Sequence, residues 1–477
     1  MASARNFRRA FQQANVVTPL MGGLSIVWGA LWKLTRPEYP PRSLAPELKP
    51  LPERIRKGLG DDEYYCEEVG ATFPADEPPR KLPDLSKHES LLARVLKEKP
   101  SLYKYLRDKA TSNGVTIAKC IKTGIDNPSA AGGGEVGVVA GDEESYETFK
   151  ELFDIIIDRW HRGYPSHAKH TNDLDHHRIA RTRIDPTGNP VSPGRSIYSG
   201  AYHAFVRYVI SCSATAVRSI RGFKLPPSIS FQERREVERM SSRALADLPA
   251  DLHGHYHPLV GSRSQNAIEE DAASAVTHGL GEFTYPQAGP VLSSGIGRHW
   301  PDARGVFRTE TGNLSVRVNN TDHLEFISRR MGDDVKSCFA KLAETLRSFE
   351  TSLASQNREF MHNERLGYLS TCPSNLGTGL RVSVEMRIPN MIGRPDFEQI
   401  IRKLGLKVRA DRCTDAFQHT RFIENLDVLG RSEVEIVDTV VEGCAKLVEL
   451  GEGAGERPRH HERAAQMTAT WGSWKMI

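Results

Sequence analysis

The sequence predicts an α+β fold in which a small helical domain precedes a larger domain with a sheet backed by helices. Two observations support this prediction. Apolar residues recur at helical spacing between residues 91 and 157. Farther along, strand-like runs at 205–211 and 314–319 alternate with helical runs at 231–246 and 333–354. Strands and helices interleaved in this way are typical of a sheet covered by helices.

The composition is that of a folded protein long enough for two or three domains. The chain has 477 residues, of which 39% are hydrophobic and 26% are charged, and these values are ordinary for globular domains. The chain has 64 basic and 60 acidic residues, so the formal net charge is only +4. No nucleic-acid partner is therefore expected. The seven cysteines form no CxxC pair. Neither a zinc site nor a disulfide framework is therefore indicated, and a reducing compartment is expected.

The N-terminus differs from the rest of the chain. Residues 15–32 contain no charged side chain, and this run is close to the length that crosses a bilayer. Basic residues beginning at Arg5 precede it, and no acidic residue occurs before Glu38, a pattern typical of a mitochondrial targeting segment or a signal anchor. We interpret residues 1–34 as a targeting or membrane-anchor helix. It is a retained membrane or docking helix, a presequence that is cleaved, or a soluble buried helix.

The remaining segments follow from composition and periodicity. Residues 35–90 are rich in proline and charge, which predicts an extended linker. Residues 91–165 are predicted to form the small helical domain, and residues 166–450 the larger α+β domain. Residues 451–477 are predicted to be a polar tail.

Five motifs occur in order along the chain: KTGIDNP (122–128), VAGDEESYETFKELFD (139–154), RSIRGFKLPP (218–227), WPDARG (300–305) and TCPSNLGTGLR (371–381). In order and spacing they resemble the phosphagen kinase family, and the last two resemble its creatine kinase branch. The resemblance covers about residues 90–450. It implies a small all-α domain followed by a larger domain with an antiparallel sheet flanked by helices.

Phosphoryl transfer depends on arginines, because the enzyme must hold the nucleotide and neutralise phosphate charge. The family carries two of these arginines in a motif of the form SSRVRTGRSIRG. This chain has SCSATAVRSIRG at 211–222, so the resemblance implies that Ser213 and Thr215 occupy those positions. Serine and threonine contribute no positive charge. The later arginines of the motif, Arg218 and Arg221, are present.

The segment that the family uses for its general base is also altered. Where the family has NEEDHLR, this chain has NNTDHLE at 319–325. The resemblance implies that Asn320 and Thr321 replace two glutamates, with Thr321 at the position of the catalytic one, which holds the acceptor guanidinium. It also implies that Glu325 replaces a phosphate-binding arginine. The resemblance therefore implies that this segment lacks the family's catalytic glutamate and its phosphate-binding arginine.

Three arginines are predicted to be remnants of phosphate binding: Arg218, Arg381 and Arg409. Arg409 begins RADRCTDAF, where the family has a glycine-rich lid of the form RGTGGVDTA. Without glycine the cost of lid closure rises. AGGGE at 131–135 replaces the family's GHPFIKT, so the guanidino substrate cannot be inferred.

Two further sets of residues were considered as sites. Cys372 matches the family's reactive cysteine, and the Ser374 hydroxyl lies near it in sequence. We interpret Cys372 as an inherited packing residue, because the glutamate that would act with it is missing. Four histidines lie in a polar segment without cysteine partners or helical spacing, which indicates a solvated loop and no metal site. They are His167, His170, His176 and His177.

These observations predict a catalytically inactive phosphagen kinase homologue without a cofactor. We expect it to serve as an accessory subunit of a mitochondrial inner-membrane complex, either a respiratory-chain complex or ATP synthase, with residues 15–32 in the membrane. One alternative is an active mitochondrial creatine- or arginine-type kinase using ATP, ADP and Mg²⁺. In that kinase Glu325, Glu385 or Asp322 would supply the carboxylate, and Arg317 or Arg329 a phosphate contact. The other alternative is a nucleotide sensor that binds ATP or ADP through Arg381 and Arg409.

Overall fold

A computed structural model describes residues 73–128, 135–185, 208–259, 262, 283, 289–409 and 420–453. Among these residues, no helix is both long enough and apolar enough to cross a membrane. The predicted anchor helix at 1–34, most of the predicted tail and the lid segment after Arg409 lie outside the described residues.

The first part of the described chain is a helical domain. Its helices are α1 (Leu91–Glu98), α2 (Pro100–Leu106), α3 (Ile117–Asp126), α4 (Ser145–Thr148) and α5 (Lys150–Trp160). The Ser90 hydroxyl accepts a hydrogen bond from the Ala93 amide (3.2 Å) and so caps α1. The apolar faces of α1, α3 and α5 meet in one buried cluster. The helical periodicity predicted for this region is confirmed.

The end of the predicted linker packs against this domain. Phe73 and Leu85 are buried in the helical cluster. The Phe73 amide donates to Asp126 Oδ1 (2.9 Å), and Lys122 Nζ donates to the Phe73 carbonyl (2.5 Å) and to Asp126 Oδ2 (2.7 Å). Residues 73–90 are therefore attached to α3.

In the described part of the larger domain, eight strands, whose ranges follow, form an antiparallel sheet of order β2-β3-β4-β5-β1-β8-β10-β9. The strands are β1 (Val209–Arg218), β2 (Gly254–Pro258), β3 (Gly305–Thr309), β4 (Leu314–Val318), β5 (Leu324–Met331), β8 (Leu380–Arg387), β9 (Leu406–Val408) and β10 (Thr420–Asn425). A separate hairpin pairs β6 (His362–Asn363) with β7 (Gly367–Tyr368).

Helices cover one face of the sheet. The helices of this domain are α6 (Phe231–Ala246), α7 (Gly289–Ser293), α8 (Val335–Ser355), α9 (Pro389–Ile392), α10 (Phe397–Lys403) and α11 (Glu433–Gly453), and it has short 3₁₀ turns at His176–Arg178, Ala250–Leu252 and Pro373–Asn375. A capping box begins α6: the Ser230 hydroxyl accepts from the Glu233 amide, and the Glu233 carboxylate accepts from the Ser230 amide. Helices α8 and α11 pack on the central strands. The predicted α+β class is confirmed, with an antiparallel sheet.

Strand β1 explains how the sheet acquires one apolar and one polar face. Cys212, Ala214 and Ala216 are buried in the core under the helices. Their neighbours Ser213 and Thr215 point to the other face and are half-buried, because side chains alternate along a strand. Antiparallel sheets commonly leave one face open in this way. The polar face of the sheet is therefore the face that is accessible to a ligand.

Candidate functional site

The polar face brings together residues that are far apart in sequence. In the register of the sheet, Thr215 of β1 lies opposite Arg381 of β8 and Ile327 of β5. Ser213 lies opposite Ser383 on one side and Arg329 on the other. The two positions where the resemblance implies phosphate-binding arginines thus lie at the centre of this face, and both are neutral.

Glu325 has a cationic partner on the neighbouring strand. Its Oε2 lies 3.1 Å from Nη1 of Arg317, which is directly opposite it in the register. The same oxygen accepts a hydrogen bond from Asn320 Nδ2 (3.0 Å). Both side chains of the ion pair are mostly shielded from solvent, with 17% and 19% exposed. A carboxylate here repels phosphate and also occupies a guanidinium that could otherwise bind one.

The turn between β4 and β5 is firmly held although its glutamates are absent. Asn319 has a φ of 58°, and its Nδ2 donates to the carbonyl oxygens of Arg234 (2.9 Å) and Ala303 (2.7 Å). Buried Arg304 of the WPDARG motif donates from Nε to the Asn319 carbonyl (3.0 Å). Thr321 lies half-buried in this turn. The scaffold that would present a catalytic carboxylate is present, but position 321 carries a hydroxyl.

Asp322 and His323 are buried beneath the turn. Asp322 Oδ1 accepts from the Thr371 amide (2.7 Å), whereas Oδ2 has no hydrogen-bond partner among the described residues. Burial raises the pKa of Asp322 to about 6. His323 Nδ1 accepts from the Ile220 amide (3.0 Å), its Nε2 lies 2.9 Å from the Lys224 carbonyl, and burial lowers its pKa to about 4. These contacts indicate a structural role for both side chains.

Arg381 and Arg409 are brought together around a carboxylate. Nε of Arg381 lies 3.7 Å from Oε2 of Glu424, and Nη1 of Arg409 lies 3.7 Å from Oε1 of the same residue. Only 2% of the Glu424 side chain is exposed, whereas the arginine side chains are 49% and 36% exposed. Arg409 also lies over the ring of Phe422, with its guanidinium carbon 4.2 Å from the ring centroid. The arrangement leaves two solvent-accessible arginines above a buried negative charge.

Glu424 is a site residue that the sequence analysis missed. It lies on β10 opposite Ser383 of β8 and Lys407 of β9. Burial lowers the pKa of Lys407, and the Glu424 carboxylate opposes that change. One signal could have identified Glu424: a single acidic residue in the short strand TRFIEN, next to apolar Ile423. Its relation to Arg381 and Arg409 depends on strand order, which periodicity does not reveal.

Arg218 has a different environment from the one expected of a phosphate-binding residue. Its side chain is 1% exposed, and Nη1 donates to the carbonyl oxygens of Val217 (2.7 Å) and Thr378 (2.8 Å). The guanidinium carbon lies 3.5 Å from the ring centroid of Tyr368, and Glu433 Oε1 lies 3.9 Å from Nη2. Arg218 lies on the opposite face of β1 from Thr215, and its burial and contacts favour a structural role over the predicted phosphate contact.

Cys372 lies at the edge of the helical cluster, half-buried. The Ser374 hydroxyl donates to its Sγ (3.0 Å). Burial nevertheless raises the pKa of the Cys372 thiol above its ordinary value, and Ser374 opposes that rise only in part. The thiol is therefore protonated at neutral pH, which agrees with a packing role.

The polar histidine segment contains one group with metal-ligating atoms close together. Ligand atoms of Asp175, His176 and His177 all lie within 4.8 Å of one another. Burial lowers the pKa of His176, and the neighbouring cations Lys336 and Arg347 lower it further. Their positive field opposes a bound cation. His167 and His177 are exposed, as expected of a solvated loop. The prediction is wrong for His170, which is buried and accepts a hydrogen bond at Nδ1 from the Gly430 amide (3.2 Å).

Comparisons with known proteins agree with this two-domain architecture. Models of the ATP:guanido phosphotransferase N-terminal domain and C-terminal catalytic domain match residues 86–158 and 236–454. The testis isozyme of creatine kinase from Oncorhynchus mykiss is 42% identical over 378 residues, covering 78% of this chain and 91% of that protein. M-type creatine kinase from Gallus gallus is 40% identical over 382 residues, covering 79% and 92%. The crystal structure of lombricine kinase aligns with a TM-score of 0.67 at 34% identity, covering 81% of this chain and 96% of that one.

The fold and these matches define an ATP:guanidino phosphotransferase architecture, with a helical domain followed by an antiparallel catalytic-type domain. The chain belongs to the phosphagen kinase family and is creatine kinase-like. The predicted family membership is thereby confirmed.

Proposed function

We propose that this protein is a catalytically inactive member of its family that acts as an accessory subunit of a mitochondrial inner-membrane complex. One observation carries the first part of the proposal. The phosphate-facing positions Ser213, Thr215 and Glu325 are neutral or acidic, and Glu325 is ion-paired with Arg317. Two missing cations and one reversed charge remove on the order of 5–10 kcal/mol of transition-state stabilisation, at about 1.5–3 kcal/mol for each charged hydrogen bond.

Three carboxylates were predicted as alternative bases, and each is buried or engaged by another side chain in the described part of the chain. Asp322 is buried. Glu325 is held by Arg317 and Asn320. Glu385 Oε2 accepts a hydrogen bond from the Ser211 hydroxyl (2.6 Å). The loss of a general base costs about 10²–10⁴ in rate, so the family reaction is not sustained.

The second part of the proposal rests on what the chain retains and adds. The two buried hydrophobic clusters support a stable fold, which a structural subunit needs whether or not it catalyses a reaction. The uncharged run at 15–32 supports membrane attachment. The basic residues at the N-terminus, with no acidic residue before Glu38, support targeting to mitochondria. A respiratory-chain complex and ATP synthase are the candidate hosts.

A working guanidino kinase is the second candidate, favoured by the 42% identity to a creatine kinase. The two candidates differ in a direct assay of the purified full-length chain with Mg-ATP and either creatine or arginine. We expect activity at least about 10⁴-fold below that of a creatine kinase measured in parallel. Turnover within about a hundredfold of that control would refute the inactive assignment.

The accessory role is tested separately by native purification from gently solubilised mitochondria, followed by identification of the chains that migrate with this protein. We expect it to migrate with a large inner-membrane complex. A chain lacking residues 1–34 but directed to the same compartment is the control, and it should lose membrane attachment. Migration only as a small soluble oligomer would contradict the accessory role and leave the inactivity unaffected.

A further inference from the structure

We propose that the Glu424 carboxylate competes with anionic ligands for Arg381 and Arg409. Replacing Glu424 by a neutral residue would then create a binding site for phosphate-bearing ligands between these two arginines. This inference rests on the proposed function, since it extends the loss of phosphate-binding charge at Ser213, Thr215 and Glu325 to the two arginines that remain. The inference concerns the binding of anions, whereas the missing base and the substituted positions on the strands concern catalysis.

The Glu424 carboxylate lies between Arg381 and Arg409 and interacts electrostatically with both. Its Oε2 faces Arg381 and its Oε1 faces Arg409, each at 3.7 Å. These distances exceed hydrogen-bonding range, and Oε1 has no hydrogen-bond partner among the described residues. The carboxylate therefore acts on the guanidinium groups through its charge.

Lys407 adds a third cation to the same cluster. It lies directly opposite Glu424 in the pairing of β9 with β10, and its pKa is lowered by burial and raised by Glu424. Three cations thus surround one buried carboxylate. If that charge is removed, the mutual repulsion of the cations is relieved best by an anion entering from the exposed side.

A buried carboxylate with only long ionic contacts contributes little to stability, because its desolvation offsets the attraction. Its larger effect is on ligands. A phosphate group that approaches the two arginines also approaches a negative charge that cannot move away into solvent, and like-charge contacts of this kind cost several kcal/mol. Glutamine has the same shape without the charge, so Glu424→Gln should isolate this effect.

The test compares Glu424→Gln with Glu385→Gln in the full chain. Glu385 lies on β8, opposite Phe422 of β10, and accepts a hydrogen bond from the Ser211 hydroxyl. The control therefore removes an equal charge from the same sheet face. Pyrophosphate and Mg-ADP are the probes, measured by calorimetry and by the rise in melting temperature that ligand binding must produce.

We expect Glu424→Gln to bind pyrophosphate at least about tenfold more tightly than the wild-type protein. Glu385→Gln should resemble the wild type, and adding Arg381→Ala to Glu424→Gln should abolish the gain. A folded Glu424→Gln protein with wild-type affinity would overturn the inference, as would an equal gain in Glu385→Gln. If Glu424→Gln gives no cooperative melting transition, Glu424→Ser is measured in the same way and judged by the same criterion.

The failures of the two proposals can be told apart. Phosphotransfer by the wild-type protein within about a hundredfold of the creatine kinase control would refute the inactive assignment, whatever the variants bind. Unchanged pyrophosphate affinity in Glu424→Gln, with an inactive wild type, would refute only the role of Glu424.

Discussion

Arg317 of β4 and Glu325 of β5 face each other directly in the sheet, with Nη1 and Oε2 3.1 Å apart. Glu325, which the sequence indicated as a charge reversal, therefore has Arg317 as its ion-pair partner. An arginine introduced at position 325 alone would meet another arginine.

We expect Glu325→Arg to destabilise the protein by about 1–3 kcal/mol, because it replaces an attraction by a repulsion at a mostly shielded position. The double variant Arg317→Glu/Glu325→Arg should recover most of that loss. Urea unfolding of the wild type, both single variants and the double variant gives the coupling energy. Additive effects in that cycle would show that the pair contributes nothing.

The burial of Asp322 predicts a pH-dependent stability. Its folded-state pKa is raised from 3.8 to about 6, so its favourable contribution is present below pH 4 and is lost as pH rises through about 6. Asp322→Asn removes that ionisation. The variant should gain stability relative to the wild type between pH 4 and pH 8, by up to about 3 kcal/mol. Unfolding free energies that stay parallel over this range would contradict the assignment.

Arg218 should prove structural when it is replaced. Arg218→Met removes two carbonyl hydrogen bonds and the stacking on Tyr368, and it leaves Glu433 buried without its cation. We expect a loss of about 3–5 kcal/mol in the free energy of unfolding. Arg381→Ala, at a half-exposed position, should cost less than about 1 kcal/mol. Chemical denaturation of the two variants provides the comparison, and similar losses in both would argue against a special role for Arg218.

Cys372 should react slowly with alkylating agents. Burial raises the pKa of the Cys372 thiol. We therefore expect iodoacetamide to react with Cys372 more slowly than it reacts with glutathione at about pH 7.5. The rate at Cys372 should rise only at alkaline pH. Peptide mapping by mass spectrometry separates Cys372 from the other six cysteines. A reaction midpoint below pH 7 would instead indicate a stabilised thiolate.

Sequence alone predicted the elements with strong periodicity. Helix α6 spans the predicted 231–246, and helix α8 lies within one or two residues of the predicted 333–354. The far end of β1 was not predicted. SCSATAV alternates small buried residues with hydroxyls, a pattern too weak in hydrophobicity to mark a strand.

The candidate site could be predicted only in part, for a physical reason. The motifs identified Thr321, Glu325, Arg381 and Arg409, because these follow from chain order. The partners of those residues follow from strand order. Glu424 meets Arg381 only because β10 lies beside β8, and Arg218 points away from Thr215 only because strand residues alternate.

The attachment of Phe73 to α3 has a mechanical consequence. The Phe73 backbone is hydrogen-bonded to Lys122 and Asp126, whose side chains are 3% and 1% exposed in a buried ion pair. Within the described chain, which begins at Phe73, a pull from the N-terminal side would therefore load these bonds. The adjacent Thr123 hydroxyl donates to the Pro290 carbonyl of the larger domain (2.9 Å), so that load would pass from one domain to the other through α3.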